Sequence, residues 1–147
     1  MKKQGIGLES IFSIDELLSI SDVVSLHVPL MEKTRNLIAA AALSRMKPEA
    51  ILVNCARGGI VNETDLADAL KSRKIAGAGI DVFESEPPGD SPLLGLDNVV
   101  LTPHTAAFTT QALSNMDWGV VEQLIGYAQG RKPPHAVNPD VFKAPFS

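Results

Sequence analysis

The chain has 147 residues, of which 45% are hydrophobic and 20% charged, a balance that indicates a folded domain with its own core and excludes a disordered chain. Its formal net charge of −4 disfavours nucleic acid as the main partner, because nucleic-acid-binding proteins usually present a basic face. The longest apolar runs are too short to cross a bilayer, so no membrane partner is expected, and the single cysteine, Cys55, fits a reducing cytoplasm.

The first candidate motif along the chain is Gly5-Ile6-Gly7. A dinucleotide-binding fingerprint has the pattern G-x-G-x-x-G and lies between a strand and a helix. Here Ser10 occupies the position of the third glycine, and the residues before Gly5 are too few for a buried strand. We therefore interpret the stretch as a polar lead-in and not as a pyrophosphate-binding turn.

Four apolar runs predict strands over residues 23–28, 50–54, 76–82 and 98–102. Their continuous apolar character is typical of strands buried on both faces, as in a parallel sheet covered by helices. The distance between them along the chain is too long for hairpins and is typical of β-α-β units.

Helix signals lie between and after these runs. Ser13 and Glu16 form a capping box ahead of the first run. The other signals are Pro48 after a helix over residues 39–46, Asn62 before a helix over 63–73, and Gly130 after a long helix over 110–129. This order of elements predicts a doubly wound α/β layer, followed by an irregular, proline-rich tail.

Polar side chains follow the predicted strands at their carboxyl ends, where open parallel sheets bind ligands. Glu86, on a turn stiffened by two prolines, and His104, directly after Pro103, are candidates for a pair. A carboxylate bonded to an imidazole fixes its tautomer and favours its protonated form, as a general acid/base requires. Glu84 could take the place of Glu86, but we interpret it as a solvated loop charge.

Two further side chains at this edge are candidates for ligand contacts. The planar guanidinium of Arg57 suits a carboxylate, and the following glycines would let a ligand approach the backbone. Asp81 ends an apolar strand, so its charge requires a partner, either a backbone amide or an amide of a ligand.

Other chemically active side chains are interpreted as structural. Cys55 is expected to be a small packing residue and not a nucleophile, and Trp118 is expected to pack. His27 and His135 have no neighbours at metal-ligand spacing, so no metal site is expected.

Four segments together carry a family resemblance: SDVVSLHVPL, MKPEAILVNCARGGIVNETDLADAL, GAGIDVFESEPP and NVVLTPHTA. They resemble the D-isomer-specific 2-hydroxyacid dehydrogenases, of the D-3-phosphoglycerate dehydrogenase and hydroxypyruvate reductase types, over residues 11–141. The resemblance implies a cytoplasmic, homodimeric, NAD-dependent enzyme that interconverts a small D-2-hydroxyacid and a 2-oxoacid. It also implies a partial Rossmann-like doubly wound parallel sheet with flanking helices.

The resemblance also implies roles for the residues at the sheet edge. His104 would be the acid/base, Glu86 would hold and tune it, and Arg57 would bind the substrate carboxylate. Asp81 would face the nicotinamide carboxamide. The residues expected to contact the cofactor are His27, Pro29, Cys55, Ala56, Arg57, Asp81, His104, Ala106 and Ala107.

Family members have a substrate domain and a first β-α-β unit with the fingerprint, which we expect ahead of residue 1. Residues 1–130 are thus predicted to be the C-terminal part of an NAD-binding domain, with residues 131–147 as tail. The isolated chain is expected to be inactive or very weak, and its final helix to keep uncovered apolar surface. The alternative is a non-catalytic dimerisation or regulatory module derived from this fold; a flavodoxin-like binder ranks lower, for want of a phosphate loop.

Overall fold

The computed structural model describes Ile11 and residues 13–143. The Gly5-Ile6-Gly7 stretch therefore lies outside the described residues. The chain separates into two compact units, which divide between Thr105 and Ala106. The boundary expected near residue 130 stays a prediction.

The first unit contains a sheet of four parallel strands in the order β1-β2-β3-β4. The strands are β1 (Val23–Leu26), β2 (Ile51–Asn54), β3 (Gly77–Ile80) and β4 (Val99–Leu101). Helix α1 (Ile14–Ile20) precedes β1, α2 (Ala40–Arg45) joins β1 to β2, and α3 (Glu63–Lys71) joins β2 to β3. The parallel α/β architecture is confirmed, although every strand is shorter than its apolar run. Pairing of Leu26 with Asn54 and of Asn54 with Ile80 ends the ladder where the chain turns into the loops.

One face of the sheet is packed against the helices. Leu18, Leu43, Leu66 and Leu70 of α1 to α3 are almost wholly buried and belong to one core cluster with Val24, Leu52 and Ala78 of the strands. On the other face, Val23, Ile51 and Val100 are 59%, 42% and 69% exposed. The expectation that the strands are buried on both faces is thus wrong for the described chain. Both faces of the sheet carry apolar residues, but helices α1 to α3 cover only one of them.

The helix starts are fixed by the expected polar contacts. Ser13 Oγ accepts a hydrogen bond from the Glu16 N–H at 3.5 Å, and Asn62 Oδ1 accepts one from the Asp65 N–H at 3.0 Å. Helix α2 has no capping side chain of its own, and Asp65 Oδ2 accepts from the Ala40 N–H at 2.8 Å instead. The first turn of α3 thereby satisfies one of the free amides of α2.

The second unit contains the long helix α4 (Thr110–Ala128), which the sequence places correctly to within a residue. Thr109 caps its start, and Gly130, with φ of +74°, follows its end. Trp118 is 63% exposed, so the expectation that it packs is wrong. A 3₁₀ turn over Pro139–Lys143 interrupts the tail. Among the described residues, no helix combines the length and the apolar character needed to span a membrane.

Candidate active site

Glu86 and His104 lie together at the carboxyl end of the sheet. His104 Nδ1 is 2.8 Å from Glu86 Oε2, and the two side chains are 48% and 39% exposed, respectively. The second carboxylate oxygen of Glu86 accepts a hydrogen bond from the Phe83 N–H at 3.1 Å. The pairing expected from the sequence is therefore present in the structure, and Glu84 remains an exposed loop residue.

The charge state of Glu86 follows from these contacts. The hydrogen bond with His104, and secondarily that from the Phe83 N–H, hold the pKa of the Glu86 carboxyl below its ordinary value of 4.5. The carboxylate is therefore ionised at neutral pH, and an ionised carboxylate can only accept hydrogen bonds. Nδ1 of His104 thus carries the proton, which leaves Nε2 for proton exchange with a ligand.

Asp81 organises the turn on which His104 lies. Its side chain is 2% exposed, and its Oδ1 accepts from the Thr105 N–H at 2.8 Å and from the Thr102 hydroxyl. The Asp81 carbonyl accepts from the His104 N–H at 2.8 Å, and His104 has a left-handed φ of +56°. The sequence predicted either a backbone amide or a ligand amide as the partner of Asp81, and the backbone amide of Thr105 is one such partner. Contact with a nicotinamide stays a prediction.

Arg57 lies on a loop held by Asn54, a residue that sequence reasoning treated only as a strand end. Asn54 is 1% exposed; its amide donates to the Arg57 carbonyl at 3.0 Å and accepts from the Ala56 N–H at 3.1 Å. The Arg57 guanidinium is exposed and donates to the Ala56 carbonyl at 2.6 Å. The sequence does contain a signal for this role of Asn54, because a polar amide side chain at the end of an otherwise apolar strand indicates that it binds nearby backbone groups.

Gly58 brings the Arg57 loop against the loop that carries Glu86. A Cβ placed on Gly58 would lie 1.8 Å from the Phe83 carbonyl oxygen and 2.8 Å from the Glu84 nitrogen. The backbones therefore touch at a distance that only glycine allows. We expected a ligand to approach this glycine closely, but the protein's own Phe83–Glu84 backbone occupies that position.

A cavity of about 670 Å³ opens at the carboxyl ends of β1 and β2. Its lining consists of His27, Val28, Pro29, Leu30, Cys55, Ala56 and Arg57. It gathers five of the residues expected to contact the cofactor, and its size is typical of small-molecule sites. Cys55 is exposed here, so the expectation that it packs is wrong, because the chain has left the sheet after Asn54.

A second cavity of about 420 Å³ borders the Glu86–His104 pair. Its walls are largely apolar and include Phe83, Leu94 and Leu101.

Ala106 and Ala107, also expected at the cofactor, belong to the second unit, where the Thr109 N–H donates to the Ala107 carbonyl at 2.9 Å. Within the described part of the chain, no three His, Cys, Asp or Glu side chains are grouped as a metal site would require.

Comparison with known proteins identifies the family of this chain. Residues 2–106 match the model of the D-isomer specific 2-hydroxyacid dehydrogenase NAD binding domain. A glyoxylate reductase of Korarchaeum cryptofilum is 51% identical over 131 residues, 88% of this chain and 40% of the relative. A D-3-phosphoglycerate dehydrogenase of Methanocaldococcus jannaschii is 45% identical over 135 residues, 92% of this chain and 26% of the relative.

A solved structure gives the same result. The D-isomer specific 2-hydroxyacid dehydrogenase of Lactobacillus delbrueckii ssp. bulgaricus, in its NAD-complexed form, superposes with a TM-score of 0.77 at 36% identity. The superposition covers 84% of this chain and 42% of that one, so the chain spans about two-fifths of that dehydrogenase. The chain belongs to the D-isomer specific 2-hydroxyacid dehydrogenase family.

Proposed function

We propose that this chain carries the acid/base and carboxylate-binding residues of an NAD-dependent oxidoreductase that interconverts a D-2-hydroxyacid and a 2-oxoacid. The observation that carries the proposal is the Glu86–His104 pair at 2.8 Å, on a turn fixed by the buried Asp81. The names of the two curated relatives favour substrates of the glyoxylate or 3-phosphoglycerate type, and the resemblance of the sequence motifs adds hydroxypyruvate. A cytoplasmic location accords with the single cysteine.

Proton transfer in this proposal is performed by His104. Glu86 accepts a hydrogen bond from the Nδ1–H of His104 and so holds the ring. Nε2 is then the atom that faces a substrate oxygen. In the oxidation direction Nε2 takes the proton of the substrate hydroxyl; in the reduction direction the imidazolium returns it to the carbonyl oxygen. The carboxylate of Glu86 stabilises the imidazolium while the proton resides on His104.

Binding and orientation are assigned to the neighbouring loops. The Arg57 guanidinium would hold the substrate carboxylate through two parallel hydrogen bonds. The cavity between His27, Pro29, Cys55 and Ala56 would hold part of the dinucleotide, and Asp81 would add a contact to it. The cofactor contacts expected of Ala106 and Ala107 stay a prediction. The bound nicotinamide would supply or accept the hydride. Because the chain spans 40% of the Korarchaeum relative and 26% of the Methanocaldococcus relative, we expect little or no turnover from it alone.

A titration of the chain with NADH, followed by nucleotide fluorescence, tests the cofactor site. We expect weak saturable binding that is lost in Ala56→Trp, because the indole would fill the cavity. Asp68→Asn, on the exposed side of α3, is the matched control and should bind as the parent does. Unchanged binding by the Ala56 variant would contradict the assignment of this cavity.

We expect turnover only when the chain is joined to the remaining part of a dehydrogenase. We would join this chain to the N-terminal portion of the Korarchaeum glyoxylate reductase, whose matching segment is 51% identical to it. The hybrid should reduce glyoxylate or hydroxypyruvate with NADH. A folded hybrid that binds NADH and shows no reduction of any 2-oxoacid would contradict the proposed function.

The second candidate, a dimerisation or regulatory module, is favoured by the exposed sheet face. Val23, Ile51 and Val100 form an apolar set on that face, and surfaces of this kind commonly mark interfaces. We expect a homodimer in either case. Light scattering after size-exclusion chromatography measures the mass directly; a monomer at all concentrations would contradict the module and the dimer together.

A further inference from the structure

Glu86 is positioned by the backbone on which it lies. Its two oxygens are bound by His104 Nδ1 at 2.8 Å and by the Phe83 N–H at 3.1 Å. The Glu86 side chain is 39% exposed, so packing covers only part of it. The geometry of the acid/base pair therefore depends on what holds the loop from Phe83 to Ser91.

Glu63, the first residue of α3, holds both ends of this loop. Its Oε1 accepts a hydrogen bond from the Glu84 N–H at 2.7 Å. Its Oε2 accepts one from the Ser91 hydroxyl. The two contacts lie 21 and 28 residues away along the sequence, on either side of Glu86. One half-buried carboxylate thus ties the start and the end of the loop to the same helix.

The anchored peptide is also the one that Gly58 touches. A Cβ on Gly58 would lie 2.2 Å from the Phe83 carbonyl carbon and 2.8 Å from the Glu84 nitrogen. The Phe83–Glu84 peptide therefore lies between the Arg57 loop on one side and the Glu63 carboxylate on another. Movement of this peptide would shift the Phe83 N–H and, with it, Glu86.

The anchor is itself rigid. Glu63 follows the capping residue Asn62, whose side chain binds the Asp65 N–H at 3.0 Å. The adjacent bond from Asp65 to the Ala40 N–H ties the same turn to α2. A carboxylate in the first turn of a helix is also stabilised by the helix dipole. The negative charge of Glu63 is thus favourable at this position and available to accept two hydrogen bonds.

We propose that Glu63 is a positioning residue for the Glu86–His104 pair. The proposal rests on the proposed function for the catalytic meaning of that pair. The structural part of the proposal does not depend on that function. Without the Glu63 carboxylate, the loop loses both end contacts, and the hydrogen bond between His104 Nδ1 and Glu86 becomes shorter-lived. Glu63 would act through Glu86 and would not touch the substrate.

The test is nuclear magnetic resonance of the whole chain with 15N-labelled histidine. The readout is the exchange rate of the His104 Nδ1 proton with water, assigned by its loss in His104→Asn. Glu63→Gln keeps one acceptor oxygen and replaces the other with an NH₂ donor, so one of the two hydrogen bonds is lost. We expect roughly tenfold faster exchange, as follows from losing one hydrogen bond to a charged group. Asp68→Asn makes the same change of charge on the exposed side of α3 and should leave the rate unchanged.

The outcomes separate the two proposals. Equal exchange in Glu63→Gln and in the parent chain would overturn the positioning role and leave the Glu86–His104 assignment intact. Absence of a protected Nδ1 proton in the parent chain would overturn the pair itself. Should Glu63→Gln fail to fold, Ser91→Ala removes the distal contact, together with the 3.5 Å hydrogen bond that Ser91 Oγ accepts from the Leu93 N–H. An exchange rate equal to that of the parent would then overturn the proposal.

Discussion

The contact between Gly58 and the Phe83 carbonyl predicts that substitution of Gly58 by alanine lowers the free energy of unfolding. A Cβ at residue 58 would lie 1.8 Å from that oxygen, whereas a carbon and an oxygen in contact lie about 3.3 Å apart. One backbone must therefore retreat by about 1.5 Å, and no flexible side chain can absorb the change. Gly58→Ala should cost about 3 kcal/mol of unfolding free energy, the upper end of overpacking effects. For a chain of this size, that lowers Tm by roughly 6–12 °C.

Gly79→Ala is the matched control, because a Cβ there would lie 3.9 Å from Val53 Cγ2, an ordinary contact. It should be neutral or stabilise the chain by up to about 1 kcal/mol, since glycine weakens a strand interior. Thermal and urea unfolding, followed by circular dichroism, measure both variants. A Gly58→Ala variant with the Tm of the parent would refute the close approach of the two loops.

Three other expectations follow from the site and the core. Because the pKa of Glu86 in the folded chain lies below 4.5, its ionised form stabilises the fold above that pH. In urea titrations, the parent chain should have a higher free energy of unfolding than Glu86→Gln at neutral pH, and this difference should disappear as the pH falls below 4.5. Asn54→Ala leaves the Ala56 and Arg57 backbone groups without their side-chain partner and should cost about 2–3 kcal/mol in urea unfolding. Leu70→Ala, at a fully buried position, should cost about 2–5 kcal/mol in the same assay.

Much of the fold could be predicted because it depends on local patterns. Continuous apolar runs and capping residues locate the strands and helices, and the carboxyl ends of parallel strands meet at one edge. That rule is enough to predict that Glu86 and His104 lie close together. The apolar runs overestimate the strand lengths, because apolar residues continue past the last paired residue, as Val28 does after Leu26.

The supports of the site depend on contacts between residues distant in sequence. The bonds of Glu63 to Glu84 and Ser91 span 21 and 28 residues, and no spacing rule connects them. The sequence likewise does not show which face of the sheet is covered, because Val23 and Val24 are equally apolar and differ only in the side to which they point. The left-handed backbone of His104 follows from the Asp81 contacts and not from a local glycine.

The central claim is that His104, held by Glu86, transfers the proton in 2-oxoacid reduction. The most direct test is kcat for glyoxylate reduction by the hybrid dehydrogenase and by its His104→Asn variant; asparagine tolerates the left-handed backbone and cannot act as an acid or base at neutral pH. We expect a loss of about 10²–10⁴-fold in kcat with NADH binding retained. A variant that keeps the parent kcat would contradict the claim.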